Sequence, residues 1–124
     1  MTLRRLTFAT AAATLALISF SAAAVTVTVT CEKRADRSKI SIDATGLARG
    51  QYYAIANSGA HSAQSQPEAA RRGEVQTDFD SNPNDIARGA TAIAPDFIVD
   101  GKVTGTIMAG NVEVGHATGT CRIR

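Results

Sequence analysis

The residues with the densest metal-binding chemistry lie in Asp78-Phe-Asp80-Ser-Asn82-Pro-Asn84-Asp85. Oxygen-bearing side chains recur there at every second position, and calcium takes several hard oxygen ligands at once. Asp78, Asp80, Asn82 and Asp85 are the candidate calcium ligands. Counting from Asp78, an EF-hand loop would need Gly where Pro83 stands and a bidentate Glu where Gly89 stands. The same spacing also describes the outward face of a strand running into an Asx-Pro turn.

A second cluster is cationic. Lys33, Arg34, Arg37 and Lys39 follow Cys31, and Arg122 and Arg124 follow Cys121. A Cys31–Cys121 bridge brings the two neighbourhoods within a few ångströms. If the first and last strands run parallel, Lys33, Arg34, Arg37, Arg122 and Arg124 share one end of the domain. They would then form a small basic patch for an anionic partner: a glycan, a lipid A phosphate or an acidic protein surface. Glu32 and Asp36 temper that charge, and a solvated chain terminus is the plainer account.

Catalytic chemistry has little to build on. His61 and His116 are the only histidines, one in a polar stretch and one beside a glycine. No nucleophile elbow, paired-histidine motif or glycine-rich phosphate loop is present. A cysteine held in a disulfide cannot act as a nucleophile. The chain is therefore expected not to be an enzyme and to need no cofactor, calcium aside.

The elements that position these residues are strands. Val25-Thr-Val-Thr-Val-Thr-Cys31 alternates at period two, with Cys31 on the valine face. Before it, Arg4-Arg5, the apolar run Leu6–Phe20 and Ser21-Ala-Ala-Ala24 have the layout of a Sec-type signal peptide over residues 1–24, with cleavage after Ala24. The run is too short to span a bilayer. Export to a periplasmic or secreted location would let the two cysteines oxidise. Closing so long a loop is worth about 4–5 kcal/mol in the chain-entropy model. The formal charge of +2 departs with Arg4 and Arg5, which removes any net basic pull toward nucleic acid.

Residues 25–124 are expected to form one domain. Strands are predicted over 39–43, 51–57, 74–80 and 103–108, and in the terminal segment from Val112. Asp100-Gly101 predicts a tight hairpin turn. The parity of Val112 and Val114 against Ala117, Cys121 and Ile123 switches at Gly115, which predicts a β-bulge or bend. Residues 58–73 lack periodicity and read as a loop, with one helical turn over 67–72 as an alternative. Residues 86–94 are ambiguous. The expected class is all-β: a sandwich of about seven short strands with one disulfide.

Leu47-Ala-Arg-Gly50-Gln-Tyr52-Tyr53 resembles the tyrosine corner of fibronectin type III and related immunoglobulin-like domains, with Arg49 where that pattern often has Pro. The resemblance implies an immunoglobulin-like sandwich in which Leu47 is core, Gly50 the turn, and Tyr53 the residue whose hydroxyl pins the crossover.

Two functional classes follow. One is a monomeric binding module, with ligand contacts from residues 58–73, residues 81–96 or the basic end. The other is a self-assembling subunit that lends strand 25–30 to a neighbour's sheet. A calcium-dependent adhesion domain trails both. Whether residues 25–30 pair with their own sheet separates the first two.

Overall fold

The Val/Thr alternation folds as a strand that stays at home. The computed structural model describes residues 24–124, so the expected signal segment lies outside the described residues except for Ala24. Strand β1 (Thr26–Arg34) pairs antiparallel with β2 (Arg37–Thr45) along its whole length, from Thr26↔Thr45 to Arg34↔Arg37. Its valines turn inward and Thr26, Thr28 and Thr30 outward.

The remaining elements are β3 (Gln51–Ser58), β4 (His61–Gln64), β5 (Glu68–Ala69), β6 (Val75–Asp80), α1 (Pro83–Ala87), β7 (Thr91–Ala92), β8 (Lys102–Ala109), β9 (Val112–Thr120) and β10 (Arg122–Ile123). They form two sheets. One has the order β10-β1-β2-β6-β7; the other runs β4-β3-β8-β9, with β5 also on β3. Seven of the strands have four residues or more, and the sheets stack as a small β-sandwich. No helix among the described residues is long and apolar enough to cross a membrane.

The core is aliphatic because few aromatics are available. Ile40, Ile42, Ala44, Val75 and Phe79 from one sheet meet Ala54, Ala56, Val103 and Ile107 from the other. Phe97 and Ile98 close one end, where serines from both sheets clamp the 95–99 segment. Ser38 Oγ donates to the Pro95 carbonyl (2.7 Å), and Ser58 Oγ accepts from Val99 N–H (2.7 Å). Leu47 lies buried at the other end.

The two long sides of the sandwich differ. At the β1–β9 side the sheets touch. A Cβ on Gly119 would stand 2.6 Å from the Val29 carbonyl oxygen and 3.0 Å from Val29 Cγ1, so only glycine admits this approach. The predicted irregularity in β9 is a bulge: Ile107 faces Gly115 but Met108 faces Glu113, leaving Val114 as the extra residue. At the β6 side the sheets part, for a reason found in the preceding turn. Arg72 and Gly73 both have positive φ (52° and 74°) and join Arg71 to Glu74 in a tight hairpin. Its arms then diverge: β6 stays with β2, while the 64–70 arm crosses to β3, with Gln51 facing Ala69 and Tyr52 facing Glu68.

Several expectations need correction. Residues 67–72 form no helical turn; Glu68 and Ala69 pair as β5 because β3 offers them a free edge. Residues 61–64 are a strand, β4, not a loop. The turn after β6 continues into a short helix, α1. Asn82 caps it, accepting from Asn84 N–H (2.9 Å), and Pro83 occupies the first turn. Asp100 and Gly101 do make the predicted hairpin turn, both with positive φ.

Candidate functional site

The corner segment works through a different tyrosine from the one expected. Leu47 is buried and Gly50 has φ 152°. The hydroxyl that reaches back to the loop belongs to Tyr52, which donates to the Ala48 carbonyl at 2.7 Å. Tyr53 points outward and donates to the Gly110 carbonyl (2.8 Å) in the β8–β9 turn. Tyr52 takes the role because it shares the inward parity of Ala54 and Ala56.

The four calcium candidates are not brought together. Asp78 stands on the exposed face of β6 and accepts from Ser41 Oγ (2.8 Å). Asn82 is committed to capping α1. Asp80, only 2% exposed, is gripped by Arg37, whose Nε and Nη2 donate to its two oxygens at 3.0 and 2.7 Å. The same Nη2 reaches Asp85 at 2.9 Å. A guanidinium therefore fills the place between Asp80 and Asp85 that a metal ion would need. Among the described residues no group of three His, Cys, Asp or Glu residues is placed to hold a metal. Burial works against the charge on Asp80, but the Arg37 hydrogen bonds and the Asn82 N–H (2.9 Å) outweigh it and hold its carboxyl below the usual range. Arg37 is raised in turn, first by its bond to Asp80.

Arg37 is consequently lost to the basic patch, and the rest of that set is gathered. Cys31 and Cys121 are bonded, and β10 runs parallel to β1 with Glu32 facing Arg122 and Lys33 facing Ile123. Arg34 Nε lies 2.8 Å and Arg124 Nε 3.2 Å from Glu32 Oε1. The Arg34 hydrogen bond holds the Glu32 carboxyl low, with Arg124 and Arg122 adding to it. Lys33 Nζ donates to the Arg34 carbonyl. Arg34, Arg122 and Arg124 thus surround one carboxylate, with Lys33 beside them on the backbone of Arg34.

The histidines are occupied separately. His61 Nδ1 meets the Phe97 carbonyl at 2.8 Å, and its ring tilts against that of Phe97. His116 Nδ1 lies 3.2 Å from Glu113, both side chains largely exposed.

One concavity was not anticipated as a unit. A cleft of about 1040 Å³ opens between the 64–68 connector and the segment after α1, over β6. Its walls carry Gln64, Gln66, Gln76 and Ser41 beside Lys39 and Arg88. A second hollow of about 550 Å³ continues it along β6 to the hairpin fork, sharing Glu68 and Gln76. Thr77 Oγ1 spans the gap, donating to Glu68 Oε1 at 3.2 Å. Asp43 borders the hollow; burial first, then the like charge of Asp78, raises its carboxyl. Two of the segments expected to carry ligand contacts line this groove, but their meeting depends on the diverging hairpin, which has no local signal. The chain matches no protein-family model, no curated protein and no solved structure.

Proposed function

We propose that this chain is an exported, non-catalytic binding module whose ligand lies in the cleft along β6. The carrying observation is the cleft itself: about 1040 Å³, walled by amide, hydroxyl and charged groups, on the one long side where the sheets part. Ligand sites are concave and fix their ligands through convergent polar groups; this one is more polar than a small-molecule pocket and suits a ligand rich in hydrogen-bonding groups. Export is supported by the signal-like residues 1–24 and by the disulfide. The grouping with immunoglobulin-like sandwiches is supported by β1, β2 and β6 sharing one sheet and β3, β8 and β9 the other. The donor-strand reading loses ground because residues 26–30 are paired with β2 and their valines are packed.

The test is amide chemical-shift mapping of the oxidised protein against a panel of neutral and anionic oligosaccharides and extended peptides. Shifts confined to Gln66, Gln76, Asp78, Arg88 and Thr91 support the assignment. Saturating shifts confined to residues 32–34 and 122–124 would instead favour a second reading, an anion site at the basic end. That reading rests on the three arginines, Arg34, Arg122 and Arg124, that meet around Glu32 where β10 joins β1.

A further inference from the structure

We propose that the β6 groove takes an extended peptide carrying Lys or Arg at alternate positions, held as an added strand on β6; this rests on the cleft being the binding site. The hairpin fork creates the vacancy. Between the Arg71↔Glu74 pair and the Phe79↔Thr91 pair, residues 75–78 of β6 have β2 on one side and, among the described residues, no strand on the other. The arm that would ordinarily pair there has crossed to β3.

The backbone is oriented for it. The Ile93 N–H donates to the Asp80 carbonyl on the outer side, and the Ser81 N–H donates to the Ser38 carbonyl on the β2 side. Backbone groups alternate sides along a strand. Gln76, four residues before Asp80, therefore turns its N–H and C=O toward the groove, and the Asp78 N–H follows. Four residues at about 3.4 Å each give a window of about 14 Å, enough for one short added strand. The edge is recessed between the 64–68 connector and the 88–91 segment, which excludes broad sheet-to-sheet association.

Charge selects the side chains. A strand added beside β6 places alternate side chains next to Gln76 and Asp78 on the outer face. Lys39 and Arg88 also line the cleft, but among the described residues neither they nor any other cation lies within salt-bridge distance of Asp78, which accepts one hydroxyl bond, or of Asp43; Glu74 stands at the groove's far end. Burial first, and the like charge of Asp78 second, raise the Asp43 carboxyl. A Lys or Arg from the peptide supplies the cation. Threonine or valine at the intervening positions suits the gap spanned by Thr77 and Glu68.

The probe is a capped heptapeptide alternating Val and Lys, titrated into the oxidised protein. Its two controls are the same peptide N-methylated at alternate residues and a Val/Glu version. The expected result is slowed hydrogen exchange at the Gln76 and Asp78 amides with the Val/Lys peptide and none with either control. Asp78→Asn should weaken binding about tenfold, the loss of one charge-assisted contact. Gln76→Pro should abolish it, and because proline is tolerated at an open edge the variant should keep its fold. Binding to the cleft that survives N-methylation, or favours Glu over Lys, overturns the added-strand inference while leaving the cleft as a site. Val/Lys binding that maps outside the cleft overturns both.

Discussion

Arg37 holds two carboxylates from different elements, and Asp80 beneath it is nearly inaccessible. Removing one partner of such a pair leaves an uncompensated charge, so Arg37→Ala should destabilise the protein by about 3 kcal/mol at neutral pH. Asp80's folded pKa is depressed, so its contribution is present above the ordinary carboxylate value of about 3.9 and is lost as pH falls through the folded value. The gap between denaturant melts of the two proteins should therefore begin to narrow below about pH 3.9 and keep narrowing on further acidification; a constant gap would assign Arg37 a packing role instead. Tyr52→Phe should cost about 1 kcal/mol and Tyr53→Phe less, since the second hydroxyl is exposed. The calcium-like spacing was visible in sequence because it is also strand spacing. Arg37 lies 43 residues from Asp80, and no local pattern announces that pair. The tyrosines were ambiguous for a related reason: both are apolar enough to face inward, and only the parity of β3 decides between them.

At the scale of elements, the sandwich closes on one side through a missing side chain and stays open on the other through a turn. Gly119→Ala should push β1 off β9 and cost about 1–3 kcal/mol as overpacking. Gly110→Ala, with nothing within 4 Å, should cost less, its penalty being only backbone strain at φ 58°. Melting curves of the two variants separate close approach from backbone strain. The long strands were legible because β1, β2, β3, β6 and β8 alternate buried and exposed residues. The four-residue β4 was not: His61-Ser-Ala-Gln64 has no buried residue, and it is a strand because β3 needs a partner. The cap of α1 was written in Asn82-Pro83 with Asp85 in the first turn, but a helix of five residues looks like the turn it replaces.

For the whole molecule, the disulfide joins β1 to the chain between β9 and β10 across 90 residues. Reduction should lower stability by about 4–5 kcal/mol in the chain-entropy model, read as a drop in denaturant midpoint. The class and the staple could be anticipated because they depend on alternation and on having two cysteines, whereas the parallel meeting of the two ends stood only as a condition until β10 was seen beside β1. The cleft could not, because it exists only where two sheets fail to meet. The bridge also changes how the domain carries load. Once tension on the flanking segments has drawn Thr26–Thr30 off β2, it enters at Cys31 and leaves at Cys121, whose Cα atoms are 4.5 Å apart, and the bridge carries it past the residues between them. An oxidised molecule stretched between two tethers therefore lengthens only by the few residues outside the bridge. Once reduced, the same molecule can pay out about 300 Å of chain, making the thiol state of its surroundings the control on its length.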